Sequence, residues 1–407
     1  MRKYISHSET VNASRPGRTD RLPVMVLKGP RVGVDKATTV SGSAMKEWHS
    51  LKVPPGANGL GAFQKYPRNC WYVAAGKAEV GERPLGRKLH DEHVVLFRKQ
   101  NGQPVALSDH CPHRGFRLSD SKVIGDSIKC GYHGMVFNES GQCTRMAGPG
   151  IVPKAMRVKA YPVVEKRLYI WIWLGDPAKA DPSLIPPTPY EDNDDFDHEF
   201  YFPLPFAGNV QLAQDNLLDS THVSHLHAGL LDNEDRTEFA AMAREVPSVE
   251  GNNIKRVITM ENFVANESIR KLWHVPVGKP LTRVITVVSH LPCAVNIQNE
   301  FFDPAEGNRV ISQRVTAIGL VPADRNHAYH FTAVSSSFRQ TDEDKQAQLR
   351  VLKQDVFAIE QIQKYFDDDR AHAVEITVPS DKLGVISRRL IDAMVRREEQ
   401  EGSGRPS

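Results

Sequence analysis

The stretch DHCPHRGFRLSDSKVIGDSIKCGYHGMVF, residues 109–137, decides the fold of this chain. It contains two short motifs that each hold one cysteine and one histidine. Cys111 and His113 form the first motif, Cys130 and His133 form the second, and sixteen residues separate His113 from Cys130. Two thiolates and two imidazoles at the tips of two loops can converge on one metal centre. The pattern therefore predicts a metal site built from two loops.

The spacing of these four residues favours iron and sulfide over zinc. A Cys2His2 set also suits zinc, but zinc fingers place their cysteine pair and their histidine pair in separate segments. Here each loop supplies one residue of each type, which suits an asymmetric [2Fe–2S] cluster with both thiolates on one iron and both imidazoles on the other. A zinc ribbon and an ordinary core role for the four residues remain the alternatives. Cys70 and Cys143 are predicted to be free thiols.

A second group of metal-ligand residue types lies in DNLLDSTHVSHLH, residues 215–227. No proline or glycine occurs from 209 to 227, and the pattern predicts one helix over that range. His222 and His227 would point about 140° apart on a regular helix, so a bulge or a tightened end is needed to bring both to one ion. His225 is a third imidazole in this segment. A histidine-rich helix equally suits a surface or structural role.

The composition of the chain limits the classes of protein to which it can belong. The chain has 407 residues, 40% hydrophobic residues and a net charge of +3, which predicts two or three soluble globular units that bind neither nucleic acid nor a membrane. No run approaches the roughly 20 apolar residues that cross a bilayer, and the N-terminus has no secretory h-region. Five cysteines are too few for a disulfide framework, which favours a cytoplasmic location. No glycine-rich loop has nucleotide-binding spacing, so another protein must use any NAD(P)H.

Patterning along the chain predicts an α+β protein with an all-β domain first. Residues 1–62 lack periodicity and are predicted to be a disordered extension. Short β-branched and aromatic runs over 63–175 predict an all-β domain, and the proline-rich range 176–200 is a linker and the entry to the next domain. Strands and helices mix over 201–398, and 399–407 is a polar tail.

The second half also contains specific element signals. Three runs predict strands: RVITVVSHL, RVISQRVTAIGL and AYHFTAVSSSF. A long helix is predicted from about Glu343 to Phe366, opened by Thr341 and Asp342 as cap candidates, and a last helix from about Asp381 to Glu398.

The stretch that decides the fold resembles, almost position by position, the Rieske domain of ring-hydroxylating oxygenases. The resemblance extends from about Phe63 to Gly175 and ends in YIWIWLGDP, although Met135 stands where the family usually has tryptophan. DNLLDSTHVSHLH resembles the family's segment that holds a mononuclear iron. The chain is thereby identified as the oxygenase component of a Rieske non-haem iron oxygenase. The resemblance implies an N-terminal Rieske [2Fe–2S] domain and a helix-grip (START/Bet v 1-like) catalytic domain.

The resemblance also implies the ligand sets. The cluster ligands are Cys111, His113, Cys130 and His133. His222 and His227 bind a mononuclear Fe(II), and a carboxylate completes the triad. The run LKQDVFAIEQIQKYF resembles the family's ligand helix and places Asp355 at the ligand position, with Glu360 as the alternative. Asn216 is expected beside the site.

Electron transfer in the family takes place between subunits of a head-to-tail trimer. By resemblance Asp219 bridges the two centres, contacting His222 and the neighbouring subunit's His133, while His225 lies near the iron without binding it. The closing segment VPSDKLGVISRRLIDAMV resembles vanillate O-demethylase, dicamba monooxygenase and phthalate dioxygenase. That implies a homotrimer that takes electrons from a ferredoxin or an NAD(P)H-dependent reductase. It would use O2 to hydroxylate, dihydroxylate or O- or N-demethylate a small aromatic or heterocyclic substrate.

The substrate pocket is expected to come from 206–300 and 328–336, with four candidate residues: Asn296, Phe301, His330 and Phe331. Trp273 and His274 could line the pocket or serve packing, and packing is favoured. The alternative function is a Rieske electron-transfer or ligand-binding protein without oxygenase activity. The candidate triad downstream of the Rieske motif argues against it.

Overall fold

The structure is a computed structural model, and it describes residues 65–231, 243–369 and 373–402. The predicted extension 1–62 lies outside the described residues, as does the end of the predicted tail. The described chain contains an all-β part followed by a part in which a large sheet packs on helices. The predicted α+β fold class is confirmed. None of the described helices is long and apolar enough to span a bilayer.

The all-β part consists of three antiparallel sheets, with strand orders β1-β11-β10, β2-β3-β4-β9 and β5-β6-β7-β8. β11 reads YIWIW and is buried along its whole length, because both of its faces are covered. The first motif loop follows β4 of the second sheet, and the second motif loop connects β6 and β7 of the third sheet. The strand bounds are β1 Trp71–Gly76, β2 Leu85–Leu89, β3 Glu92–Arg98, β4 Pro104–Ser108, β5 Lys122–Ile124, β6 Ser127–Lys129, β7 Val136–Phe137, β8 Cys143–Arg145, β9 Ala160–Tyr161, β10 Val163–Lys166 and β11 Tyr169–Trp173.

The mixed part is built on one seven-stranded antiparallel sheet with strand order β12-β18-β17-β16-β15-β14-β13. Its strand bounds are β12 Asp197–Phe206, β13 Ala243–Glu250, β14 Asn253–Val264, β15 Pro280–His290, β16 Ala294–Asp303, β17 Arg309–Pro322 and β18 Ala328–Ser336. The last three strand-like runs of the sequence correspond to β15, β17 and β18. The helix bounds are α1 Val210–Leu218, α2 Val223–Leu226, α3 Glu267–Trp273, α4 Asp342–Asp368 and α5 Lys382–Gly402.

The seven-stranded sheet is covered on both faces at β16, β17 and β18, whereas β14 has one partly exposed face. One face packs against α1, α3 and α4 in a single hydrophobic core, as expected for a helix-grip domain. The other face packs against β1 and β11 of the all-β part. At this second contact a Cβ on Gly319 would lie 2.5 Å from the Val73 side chain, so β17 can approach β1 only with glycine there. Successive side chains of a strand point to opposite faces of the sheet, so they face the helices and the all-β part in turn.

Two helix predictions need correction, and one cap is confirmed. The single helix predicted over 209–227 is wrong, since α1 ends at Leu218 and α2 begins at Val223. The Asp219 carboxylate accepts hydrogen bonds from the backbone N–H and hydroxyl of Thr221, both at 2.8 Å, which replaces helical bonding with a turn. Thr341 caps α4 as predicted, through reciprocal bonds with Asp344. The last helix continues to Gly402, into the predicted polar tail.

Candidate cluster site and candidate metal centre

The two motif loops have the same backbone geometry. In each, the cysteine N–H donates to the carbonyl five residues later, at 2.9 Å for Cys111 and 2.7 Å for Cys130. The glycine four residues after each cysteine donates back to the cysteine carbonyl, at 2.8 Å from Gly115 and 3.0 Å from Gly134. These glycines have φ of +73° and +71°, which side chains rarely tolerate. Two equivalent turns therefore present two equivalent pairs of side chains.

The four side chains of the motifs form a site with a buried end and an exposed end. Cys111 and Cys130 are each 2% exposed, whereas His113 and His133 are partly exposed, with ring centroids 4.7 Å apart. Burial raises the pKa of the Cys111 thiol to about 11, so a metal that binds there must displace the thiol proton. Buried thiols and surface imidazoles fit a [2Fe–2S] cluster whose histidine-bound iron faces outward. Met135 is buried behind the loops.

The structure brings His222, His227 and Asp355 together. Their candidate ligand atoms all lie within 4.8 Å of one another. Asp355 Oδ1 is 3.0 Å from His227 Nε2 and 3.6 Å from His222 Nε2. The break between α1 and α2 provides the irregularity that two histidines five residues apart require. Two imidazoles and one carboxylate are a donor set that suits non-haem Fe(II) with open coordination positions.

Neighbouring side chains fix the orientation of these groups. Asn216 Nδ2 donates to Asp355 Oδ1 at 3.1 Å, and Gln354 Oε1 is 2.9 Å from His227 Nδ1. An acceptor on Nδ1 leaves Nε2 of His227 with a lone pair for a metal. Although burial opposes protonation of His227, its contact with Asp355 raises the pKa of the ring. No pattern in the sequence indicated a role for Gln354.

Asp219 lies beside the trio without belonging to it. Its carboxylate is 3.8 Å from His222 Nδ1, and it is partly exposed. Burial alone would raise its pKa, but the nearby His222 ring and the hydrogen bonds from Thr221 lower the pKa of Asp219 to about 2. It is therefore an anion at the edge of the centre. The alternative carboxylate, Glu360, accepts the Ala207 N–H at 2.9 Å instead, and His225 is exposed.

A cavity of about 130 Å³ opens from the trio between α1, α4 and the helix-covered face of the sheet. Ten of the 23 residues that line it are aliphatic, and three buried arginines also line it: Arg256, Arg283 and Arg314. Trp273 packs in the hydrophobic core, as favoured from the sequence, and it also lines this cavity. His274 stacks on Phe338 with ring centroids 4.2 Å apart.

The four pocket candidates are not among the residues that line the cavity. Asn296 donates to the Pro187 carbonyl, and Phe331 packs against the all-β part, so both lie on the opposite face of the sheet. Phe301 is core beneath Arg283, and His330 is buried with Nδ1 3.0 Å from the Thr332 hydroxyl. The error arose because β16 and β18, the strands that carry these four residues, are buried on both faces.

Comparison with known proteins supports the assignment of both parts. Residues 70–162 match the Rieske [2Fe–2S] domain, and residues 206–397 match the vanillate O-demethylase oxygenase C-terminal domain. The predicted [2Fe–2S] cofactor is confirmed by the first match. The crystal structure of dicamba monooxygenase bound to 3,6-dichlorosalicylic acid has 27% sequence identity and a TM-score of 0.74, over 82% of this chain and 98% of that chain.

Relatives identified by sequence are oxygenase components. The toluene-4-sulfonate monooxygenase iron–sulfur subunit of Comamonas testosteroni is 39% identical over 44% of this chain and 50% of its own length. The dicamba O-demethylase oxygenase component of Stenotrophomonas maltophilia is 35% identical over 53% of this chain and 58% of its own length. The matches of higher identity thus span about half of each relative.

A longer alignment covers the whole architecture. The vanillate O-demethylase oxygenase subunit of a Pseudomonas species (strain HR199 / DSM 7063) is 27% identical over 82% of this chain and 96% of its own length. A Rieske [2Fe–2S] domain and a vanillate O-demethylase oxygenase C-terminal domain therefore follow one another in this chain. The resemblance to the Rieske-type non-haem iron oxygenases that was predicted from the sequence is confirmed.

Proposed function

We propose that this chain is a terminal oxygenase that uses O2 and externally supplied electrons to oxidise a small aromatic or heterocyclic compound. The observation that carries the proposal is the convergence of His222, His227 and Asp355 at one end of a largely apolar cavity. A Rieske protein that only transfers electrons has no use for such a centre. Relatives with O-demethylase and monooxygenase names support the same reaction class.

In this proposal the two centres have separate roles. Cys111, His113, Cys130 and His133 hold a [2Fe–2S] cluster, and the trio holds Fe(II), as expected from a dicamba monooxygenase structure that contains non-haem iron. The cluster supplies single electrons, and the ferrous ion supplies coordination positions for O2. Asn216 and Gln354 hold the Asp355 carboxylate and the His227 ring in place. The aliphatic walls position the substrate and exclude water.

A homotrimer would connect the two centres. Among the described residues, no hydrogen bond or ring contact joins the motif loops to the trio. Exposed apolar side chains occur near both: Tyr132 on a motif loop, and Ile362 in the wall of a surface pocket that also includes Asp219. We infer that the loop of one subunit covers the Asp219 surface of the next, so that Asp219 lies between His222 and His133 of the partner subunit. A carboxylate between two imidazoles can orient both rings and accept a proton.

The electron donor is proposed to be a ferredoxin or an NAD(P)H-dependent reductase in the cytoplasm. Residues 111–170 contain ten Lys and Arg but four Asp and Glu, a net charge of +6. Most of these basic side chains are exposed around the motif loops. Such a surface suits an acidic donor.

The experiment that tests the function combines metal content with product formation. We expect three irons per chain, and O2-dependent products when the protein receives NADH, a ferredoxin and its reductase, together with a panel of methoxylated and carboxylated aromatics. His222→Ala should keep the cluster spectrum and form no product, because it loses the mononuclear iron. Two irons per chain in the wild-type protein, with a normal cluster spectrum, would instead support the electron-transfer alternative.

A further inference from the structure

A charged cluster lies behind the turn of α1 that carries Asn216. Asp215 directly precedes Asn216 on α1, and Arg388 lies on α5. The Arg388 guanidinium donates to Asp215 Oδ2 through Nε at 3.0 Å, and also through Nη2. Its Nη1 and Nη2 donate to the two carboxylate oxygens of Glu375, each at 2.7 Å. One guanidinium thus joins α1, α5 and the segment that precedes α5.

Close packing and further hydrogen bonds fix Asp215 against α5. The two helices approach at Gly384, where a Cβ would lie 2.9 Å from Asp215 Oδ1. Gln211 lies one turn earlier on α1, and its Nε2 donates to Asp215 Oδ1 at 2.8 Å and to the buried Ser387 Oγ at 3.1 Å. The side of α1 that faces α5 is therefore fixed by directional bonds as well as by packing.

The next residue of α1 faces the metal centre. Consecutive residues of an α-helix point about 100° apart, so Asp215 and Asn216 contact different neighbours. Asp215 contacts α5, whereas Asn216 Nδ2 donates to Asp355 Oδ1 on α4 at 3.1 Å. One turn of α1 is therefore fixed between α5 and the carboxylate of the trio. A rotation of that turn would lengthen the bond between Asn216 and Asp355.

The contact between α1 and α5 depends on the charge of Arg388. Burial raises the pKa of the Asp215 carboxyl, and the Arg388 guanidinium opposes that rise. Hydrogen bonds between charged groups are roughly twice as strong as those between neutral groups. Removal of Arg388 would leave Asp215 and Glu375 without the cation that joins them, and the two partly buried carboxylates would repel each other. The turn of α1 would then lose its attachment to α5.

We propose that Arg388 is a positioning residue for the mononuclear metal centre, because through Asp215 it sets the turn of α1 from which Asn216 holds the Asp355 carboxylate. The inference rests on the proposed function, since it concerns the same centre. Within the described part of the chain, Arg388 neither lines the cavity nor supplies a candidate ligand. Its replacement should therefore change metal affinity and ligand geometry.

Anaerobic metal binding to the cluster-loaded protein tests this role without turnover. Competition with a ferrous chelator should show about 10-fold weaker Fe(II) binding in Arg388→Gln than in the wild-type protein. Arg388→Lys keeps the charge and should recover part of that loss. The matched control is Arg396→Gln, the same substitution at an exposed position of α5, which should bind Fe(II) like the wild-type protein.

Ligand geometry is measured by the EPR spectrum of Co(II) bound in place of Fe(II), with the cluster oxidised and therefore diamagnetic. We expect the Co(II) spectrum to change in Arg388→Gln and to stay unchanged in Arg396→Gln. A residue that only stabilises the fold would leave the spectrum of the bound metal unaltered. Unchanged Fe(II) affinity and an unchanged Co(II) spectrum in Arg388→Gln would overturn the assignment.

A cycle of double substitutions tests the route through Asn216. Asn216→Ala removes the donor to Asp355, so Arg388→Gln should cause little further loss of Fe(II) affinity in that background. Additive losses would mean that Arg388 acts independently of Asn216, and the assignment would be wrong. The visible cluster spectrum reports whether each variant folds. If Arg388→Gln does not fold, Asp215→Asn, which keeps the size of the side chain, takes its place in the same cycle.

Product formation by the wild-type protein is measured in parallel. Coupled effects of Arg388 and Asn216 on metal affinity, without product from any aromatic probe, would retain the positioning role and overturn the proposed function. Product formation with no such coupling would retain the proposed function and overturn the positioning role.

Discussion

At the scale of single residues, both candidate centres depend on side chains whose orientation other residues fix. The cysteine and histidine pairs are set by two glycine-containing turns, and the trio is set by Asn216 and Gln354. The ligand residue types could be predicted from the sequence because their spacing is unusual. Gln354 could not, because a glutamine on a long helix has no distinguishing pattern.

The carboxylate ligand can be identified by paired substitutions on α4. We expect Asp355→Ala to reduce the iron content from three to about two per chain while the cluster spectrum persists, since two imidazoles alone hold Fe(II) weakly. Glu360→Ala should keep three irons, because Glu360 accepts a backbone N–H and is not part of the trio. Iron analysis with the visible spectrum measures both. Loss of iron in Glu360→Ala alone would transfer the ligand role to that residue.

Gln354 should contribute to iron affinity without contacting the metal. Gln354→Ala removes the acceptor from His227 Nδ1, so we expect an affinity for Fe(II) about 10-fold to 100-fold weaker. The exposed Gln361→Ala on the same helix is the control. Competition with a ferrous chelator measures both variants. Equal affinity for Fe(II) in Gln354→Ala and Gln361→Ala would show that the His227 tautomer does not depend on the contact with Gln354.

At the scale of elements, the break between α1 and α2 is what makes the metal centre possible. The sequence predicted a continuous helix because no proline or glycine interrupts it. The available signal was the run Asp219, Ser220 and Thr221, since such residues favour local turns over helical bonding.

The arginines that line the cavity were missed for a similar reason. Arg283 begins the run RVITVVSHL and resembles a strand end, whereas Arg314 lies inside RVISQRVTAIGL and resembles the polar face of a strand.

The turn between β2 and β3 is an element whose stability should depend on pH. Its His90 packs on Tyr72 with ring centroids 4.3 Å apart, and its backbone N–H donates to the Pro322 carbonyl at 2.8 Å, so the turn holds the two parts together. Burial, and then the charge of Arg68, lower the pKa of His90 to about 3. The pKa of a histidine in the unfolded chain is about 6.5, so below about pH 6.5 the unfolded chain binds a proton at His90 that the folded chain does not bind. The stability contributed by the buried neutral ring is therefore complete above about pH 6.5 and declines as the pH falls toward 3.

Replacement of this ring isolates the effect. Asparagine tolerates the positive φ of position 90, so His90→Asn is a suitable variant. Between about pH 7 and about pH 5.5, the free energy of unfolding should fall by about 1 kcal/mol less in His90→Asn than in the wild-type protein. The exposed His327→Asn serves as control. Urea unfolding at the two pH values provides the measurement. Parallel pH dependence of His90→Asn and the wild-type protein would contradict the burial argument.

At the scale of the whole molecule, the proposed trimer and donor predict how electrons travel. Asp219→Asn should keep both metal centres and the trimer, because Asp219 lies beside the trio and outside it. The amide cannot hold a negative charge between two imidazoles. In a single turnover with a pre-reduced cluster, substrate and O2, we therefore expect normal reduction by the donor and a cluster that reoxidises far more slowly. Wild-type reoxidation without product would place Asp219 in iron chemistry instead.

Donor association should depend on salt. The basic surface around the motif loops attracts an acidic donor, and dissolved ions screen that attraction over about 8–10 Å at physiological ionic strength. We expect the second-order rate of cluster reduction to fall steeply as sodium chloride is raised, and to fall less steeply in a Lys122→Gln and Lys129→Gln variant with two fewer exposed charges. Stopped-flow absorbance measures the rate. A rate independent of salt would mean that this surface is only solvated.

The contact between His227 and Asp355 joins two points that are 128 residues apart in the chain. An ion held there behaves as a reversible cross-link, and the loop that it closes contains most of the seven-stranded sheet. Cross-links over long loops act mainly by restricting the unfolded chain, and a ligand that binds only the native state stabilises it by mass action. Iron is thus expected to raise the unfolding temperature of the catalytic domain as well as to perform its chemistry. Metal-depleted protein should be cut first by proteases near residues 219–222, while the cluster domain stays intact and coloured.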